Sequence, residues 1–229
     1  MKKQVVVLSL GGSLIIPDQV NIQFLQKFKK AILKNTNKYK FVIVCGGGSI
    51  ARKYISALKA TGANERFQSY SGISATRMNA RFMNYLFGVD LSEGIPHTLH
   101  TVEKYTKKHD IVFCGALEYK PQQTSDSTAA EIARHFHTFF INLTDVAGLY
   151  DKNPKENKNA KLVGKISWQD FYKMANKQKY TPGQHFVLDQ TAAKMIMEKH
   201  IKTYILGKDM AQLTSVLQGK GFKGTLVSG

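Results

Sequence analysis

A run of β-branched residues that ends in three glycines and passes straight into a helical pattern constrains this chain more than any other stretch. It reads Val42-Ile43-Val44-Cys45-Gly46-Gly47-Gly48-Ser49-Ile50-Ala51-Arg52. A buried strand carries the backbone to the edge of a sheet, where glycines let peptide N–H groups approach an anion without side-chain interference. The following helix aims its unpaired N–H groups and positive dipole end at the same spot. Arg52, on the first turn, adds a guanidinium able to grip phosphate oxygens at two points. Small residues at a strand–helix turn also serve plain packing, so the triplet alone leaves both readings open. A second junction tips the balance: Val5-Val6-Val7-Leu8-Ser9-Leu10 runs into Gly11-Gly12-Ser13. Ligands of open parallel sheets gather at the carboxyl ends of strands, so the pair predicts two loops facing one polyphosphate. Neither junction is a Walker A loop or a G-x-G-x-x-G fingerprint.

The 229 residues suffice for one large α/β domain or two fused lobes. Apolar residues make up 43%, which excludes disordered and collagen-like classes. The formal charge of +17 suits polyanionic ligands, but the lysines are scattered rather than blocked together, so small substrates are expected ahead of nucleic acid. Cys45 and Cys114 each close an apolar run and share no CxxC spacing. They read as reduced thiols of a cytoplasmic protein. Met1-Lys2-Lys3 precedes an apolar run too short and too β-branched for a signal peptide, so it is expected to lead into a strand. No stretch has the length of a membrane span. His97, His100 and His109 match no common zinc spacing, and no protein metal site is expected.

Taken in order, Ile22, Leu25, Phe28 and Ile32 predict an amphipathic helix over 20–34. Ile50, Tyr54 and Leu58, with Ala51 and Ile55, give the helix after the glycine triplet an apolar face, and Gly62 ends it. Another helix is expected from Gly72 to Phe87; Arg77 on it reads as a ligand contact or, more commonly, a solvated charge. The stretch 91–110 is polar, and its three histidines are read as surface or loop residues. Ile111–Ala116 and Phe139–Leu143 are strands. Between them, Thr124-Ser125-Asp126 opens a helix that runs to Phe136; it is an N-cap on spacing alone, or a phosphate site with a cation facing Asp126. Residues 152–161 form an exposed hairpin or loop. Ser167 caps a helix, 180–183 turn, and a helix starts at Leu188 with Ala192, Met195 and Ile196 inward. Strand 203–206, helix 210–217 and an edge strand 224–227 complete the chain.

In this order the motifs resemble the amino acid kinase superfamily, and within it the archaeal-type uridylate (UMP) kinases. The resemblance covers nearly the whole chain. It rests on Leu10-Gly11-Gly12-Ser13, Cys45-Gly46-Gly47-Gly48 with Ala51-Arg52, Gly72-Ile73 with Ala75-Thr76-Arg77, and Thr124-Ser125-Asp126. It extends through Thr144 to Tyr150 with Asn153-Pro154, then Asp189 with Ala192-Ala193-Lys194, and Gly207-Lys208-Asp209. The resemblance implies an α/β/α sandwich around a mostly parallel sheet, a single domain over 1–229 with an acceptor-binding lobe over 1–145 and an ATP-binding lobe over 146–229. It also implies transfer of the γ-phosphoryl group of ATP to UMP, with Mg²⁺ carried by ATP. By position, Leu10, Gly11, Gly12, Ser13, Gly48 and Arg52 would hold ATP phosphates, while Thr144, Asp145, Tyr150 and Asn153 would line its nucleoside pocket. Gly47, Ser69, Thr76, Thr124 and Ser125 would meet UMP. Arg52, Asp126 and Ser9 would stand at the reacting centre, Ser9 where more distant members carry a lysine. A homo-oligomer, often a hexamer, is implied as well.

Several positions depart from the family pattern. Ser69 stands where an acid precedes Gly-Ile, Glu118–Gln123 replace a Gly/His-rich phosphate loop, and Asp145, Ala147 and Asn153 replace Asn, Asp and Asp. Lys120, Lys155 and Lys194 are the candidates for the missing transition-state cation. The departures keep two alternatives open: a kinase of this fold with another phosphate or carboxylate acceptor, and a non-catalytic nucleotide sensor.

Overall fold

A computed structural model describes residues 3–90, 92–121, 123–177 and 187–229. The apolar runs become strands β1 (Gln4–Leu10), β2 (Tyr39–Cys45), β3 (Ile111–Cys114), β4 (Phe140–Leu143), β5 (Lys165–Ile166), β6 (Thr203–Leu206) and β7 (Thr225–Val227). They form one sheet in the order β3-β2-β1-β4-β6-β7-β5. All neighbours are parallel except β6 and β7. Between the strands lie helices α1 (Gly12–Ile15), α2 (Ile22–Asn35), α3 (Gly48–Ala60), α4 (Glu65–Phe87), α5 (Leu99–Lys108), α6 (Ser125–His135), α7 (Trp168–Asn176), α8 (Gln190–Glu198) and α9 (Met210–Leu217).

Strand alternation builds the layers. Val6, Leu8 and Leu10 of β1 pack into one core with Phe28 and Ile32 of α2, Met83 of α4 and Leu213 of α9. Val7 turns the other way, into a second core with Val102 of α5, Ala129 and Ile132 of α6, Phe171 of α7 and Ile196 of α8. The expected α/β/α sandwich is therefore present. Each fully buried side chain such as Phe28 contributes on the order of 1.5–3 kcal/mol of transfer free energy. Register fixes what the site needs: Leu10 lies opposite both Cys45 and Leu143, and Leu143 opposite Leu206. Four strands thus end together, and their loops leave from one edge.

Four local expectations change. The apolar face of α3 is not buried: Tyr54 is 52% exposed, and among its residues only Gly48 and Ser49 are buried. α3 packs on α4, with α1 at its start, rather than on the sheet, so its stripe is only partly covered. α4 starts at Glu65, seven residues ahead of the expected Gly72, because Asn64 caps it through Phe67 N. The polar stretch 91–110, for which no element was read, contains α5, whose narrow stripe of Val102 and Thr106 is all it buries. β7 is not an edge strand, since β5 pairs on its far side. The 180–183 turn lies outside the described residues. Cys45 and Cys114 are buried free thiols, and burial pushes both upward, Cys114 to about 12. They remain protonated and inert.

Candidate functional site

The two glycine loops meet backbone to backbone at the shared strand edge. A Cβ on Gly12 would lie 2.0 Å from the Gly48 nitrogen, and one on Gly46 would lie 2.4 Å from the Gly12 nitrogen. No side chain fits between them. Gly48 also takes φ +63°, the left-handed region that other residues rarely enter. The framework is hydrogen-bonded: Gly11 N donates to Leu143 O (3.0 Å), Gly46 N to Leu10 O (2.9 Å) and Ser49 N to Ile16 O (3.0 Å). Asn79 Nδ2, reaching across from α4, donates to Gly46 O at 2.7 Å. The first amides of α3, which no helix satisfies internally, start from this cradle. Beside them Ser49 Oγ is a buried hydroxyl without a hydrogen-bond partner among the described residues.

A second group of residues closes on the same edge from α6 and α8. Ser9 Oγ donates to Asp126 Oδ1 at 2.5 Å, tying β1 to the first turn of α6. Thr124 caps that helix, accepting from Asp126 N at 3.1 Å, while Ser127 Oγ accepts from Thr124 N at 2.7 Å. The cap expected from spacing is therefore present. The Thr124 hydroxyl then donates to Asp189, the N-cap of α8, which itself accepts from Ala192 N at 2.8 Å. Burial and the neighbouring Asp189 carboxylate push Asp126 up to about 7, against the pull of the Ser9 hydrogen bond. Burial raises Asp189 as well, opposed by the Thr124 and backbone hydrogen bonds. Two carboxylates held this way are a place where positive charge is stabilised.

The remaining predicted residues are spread around this centre. Arg52 is exposed on α3, its guanidinium 3.4 Å from Pro17 O. Thr144 N donates to Leu206 O at 2.9 Å, setting the end of β4. Asp145 pairs with Lys155, which belongs to the loop that Asn153 organises by accepting from Lys155 N at 3.0 Å. Tyr150 bridges Leu162 across the base of that loop, the hairpin expected over 152–161. Gly47 caps α3, and a Cβ there would sit 3.6 Å from Gly72 O. The hydroxyl of Thr76 is spent on structure: it donates to Ile73 O at 2.7 Å and accepts from Ala116 N at 3.0 Å. Ser69 lies exposed on the same helix. Each lysine named as a candidate cation has a carboxylate neighbour: Lys120 with Glu131 at 2.7 Å, Lys155 with Asp145, Lys194 with Glu198 at 3.8 Å.

Sequence reasoning assigned no role to Asp189, Asn79 or Glu131. Asp189 was visible as an acid just before a small-residue helix, an N-cap pattern. The contacts of Asn79 and Glu131 span distant segments, and no local spacing reports them. Among the described residues there is no group of three or more His, Cys, Asp or Glu side chains able to cage a metal. Nor is there a helix long and apolar enough to cross a membrane.

A profile described as the amino acid kinase family matches residues 4–207. The chain is 33% identical over 224 residues to the uridylate kinase of Thermococcus sibiricus, covering 97% of this chain and 98% of that one. It is 33% identical over 216 residues to the uridylate kinase of Thermoplasma volcanium, covering 94% and 93%. The crystal structure of uridylate kinase from Archaeoglobus fulgidus superposes with a TM-score of 0.83 at 30% identity, over 98% of this chain and 100% of that one. UMP kinase from Ureaplasma parvum, at 22% identity and TM-score 0.80 over the full length of both chains, shares the fold.

Proposed function

The chain belongs to the amino acid kinase family, and from that premise we propose that it is a UMP kinase, transferring the γ-phosphoryl group of ATP to the phosphate of UMP to give UDP. The observation that carries this reading is the meeting of the glycine loops with the Ser9–Asp126 and Thr124–Asp189 pairs on one strand edge. It is the layout a phosphoryl transfer needs, because the acceptor phosphate is already nucleophilic and catalysis reduces to alignment and charge neutralisation. Full-length relatives that carry the name uridylate kinase support the choice of acceptor.

In this reading Leu10 to Ser13, Gly48 and Arg52 hold the ATP phosphates through backbone amides and the guanidinium. Thr144, Asp145, Tyr150 and Asn153, at and just beyond the seam at residue 145, hold its nucleoside. Gly47, Thr124 and Ser125 receive the UMP phosphate, and Thr76 serves by fixing Ala116. Arg52 supplies side-chain charge at the transition state, since the three candidate lysines are already engaged. Asp126 and Asp189 fit a Mg²⁺ that arrives on ATP: one or two carboxylates plus phosphate oxygens is that ion's usual set. Bound there, the ion would neutralise charge on the transferring phosphoryl group. This chain's own residues orient it: Ser9 fixes one Asp126 oxygen, and Thr124 fixes Asp189.

We also assign the chain to a reducing cytoplasm, in keeping with its two buried thiols, and to a homo-oligomer, a hexamer by resemblance. Tyr54 of α3 and Phe67, Met78 and Tyr85 of α4, each at least half exposed, supply an apolar surface for such contacts. The reading is tested by ATP consumption with Mg²⁺ and UMP: turnover that depends on both substrates supports it, and silence from protein that still binds ATP rejects it.

A further inference from the structure

Lysines that lie scattered along the sequence are partly gathered by the fold. A groove of about 590 Å³ runs between α2 and the start of α9, lined by Lys27, Lys30 and Lys34 of α2 and by Lys208 of the loop before α9. Lys27, Lys30 and Lys34 stand at i, i+3 and i+7, one face of the helix. Lys208 comes from the far end of the chain and reaches them because α9 packs on α2. Lysine and arginine make up 33 of the 229 residues but four of the nine that line this groove, so the gathering exceeds the chain's general basicity. Neither α2 nor α9 contains an acidic residue. Asp209 is the one acid of the lining, and its carboxylate already accepts from Ala211 N at 2.9 Å and Gln212 Nε2 at 2.8 Å. Among the described residues none of the four ammonium groups has a carboxylate within ion-pair distance. A lysine in the last turn also offsets the helix dipole, which accounts for Lys34 and not for the others.

Unpaired lysines along one groove suit a ligand that carries several negative charges in a row. Lys27 and Lys34 are seven residues apart, about 10 Å along the helix. A strand of stacked nucleic acid carries a charge about every 3.4 Å along its axis, so three consecutive phosphates match that length. Helices in contact have axes about 8–10 Å apart, a furrow that admits one strand and not a duplex. No aromatic residue lines the groove, which leaves the bases without a stacking platform and confines the contacts to phosphates. Lysine suits that role, as a point charge without the fork that reads a planar group. The rival partner is an anionic bilayer, because Ile22 and Leu33 of α2 are exposed apolar residues. A bilayer is flat, however, and these lysines line a concavity.

We infer that the α2–α9 groove binds the phosphate backbone of single-stranded nucleic acid, independently of base sequence and without using the glycine loops. The test is fluorescence anisotropy of the full chain with labelled oligo(dT) over a salt series, repeated with UMP and a non-hydrolysable ATP analogue added. The groove variant combines Lys27→Gln, Lys30→Gln and Lys34→Gln. The comparison variant combines Lys104→Gln, Lys177→Gln and Lys199→Gln, which removes the same charge from α5 and from the ends of α7 and α8, on the other face of the sheet. The groove variant raises Kd by about tenfold or more at low salt and flattens the slope of log K against log salt by about 2, at about 0.7 for each phosphate no longer neutralised. The comparison variant changes Kd by less than about twofold, and the added nucleotides leave wild-type binding in place. Should the combined groove variant not fold, Lys30→Gln alone decides, with a slope change of about 0.7. Equal weakening in the two variants, or no binding by the wild type at low salt, overturns the inference. So does displacement by the nucleotides, or tighter binding to phosphatidylserine vesicles or to inorganic polyphosphate at equal phosphate concentration. UMP turnover is the same in the groove variant and the wild type, so the kinase reading stands or falls separately.

Discussion

At the scale of one residue, the proposed centre turns on Asp126. Its carboxyl is pushed to about 7 by burial and by Asp189, well above its value in an unfolded chain. A carboxyl raised on folding stabilises the folded state below its unfolded pKa, and that contribution is lost as pH rises through the folded pKa. Without nucleotide, stability should therefore fall between about pH 4 and pH 7, with Asp189 contributing in the same sense. Asp126→Asn should remove most of that decline in a denaturation series across pH, because the amide keeps the shape without the charge. The same substitution should lower kcat by about 10²-fold or more, as should Arg52→Ala, if both neutralise or organise transition-state charge. Near-normal turnover in both variants would reject the centre. The sequence exposed the cap Thr124, the glycines and Arg52, because local spacing reports caps and loops. Ser9 and Asp126 were set at one centre by the resemblance alone; no local spacing reports their hydrogen bond across 117 positions, since such a contact depends on how β1 and α6 are brought together.

At the scale of elements, the glycine loops are docked so closely that substitution tests the geometry directly. Gly12→Ala drives a methyl into the Gly48 backbone and should destabilise the protein by several kcal/mol, on the order of other forced overpackings. Gly164→Ala, where nothing lies within 4 Å, should shift the urea midpoint little. Thr76→Val should cost about 1–3 kcal/mol, because Ala116 N loses its acceptor in a buried place. A midpoint unchanged by Thr76→Val would contradict the pinning of Ala116 to α4. The strands, α2, α6 and the C-terminal elements were legible because their apolar positions repeat at the period of their structure. α5 was not, since its buried stripe is only Val102 and Thr106 among lysines. The apolar stripe of α3 misled for the opposite reason: its period is helical, but it is only partly covered and Tyr54 stays exposed, and periodicity does not say what will cover a face. The edge position given to 224–227 failed because the two-residue β5 is too short to read.

For the whole molecule, one sheet brings the loops after β1, β2, β3 and β4 to a single edge. In the proposed reading, that shared edge is where the two nucleotides meet. The exposed apolar residues of α3 and α4 make a further prediction at this scale: sedimentation should find an assembly larger than a monomer, and Tyr54→Lys with Tyr85→Lys should shift it toward the monomer. A monomeric wild type would contradict the assigned oligomer. The charge of +17 gives a field that favours anionic substrates at low salt, so KM for both nucleotides should rise with ionic strength. The central claim is the identity of the acceptor. It is tested most directly by coupled ATP consumption in Mg²⁺, comparing UMP with CMP, GMP and isopentenyl phosphate at equal concentration. The account predicts the highest kcat/KM with UMP. Preferred turnover of any other acceptor, or none with UMP from protein that binds ATP, would contradict it.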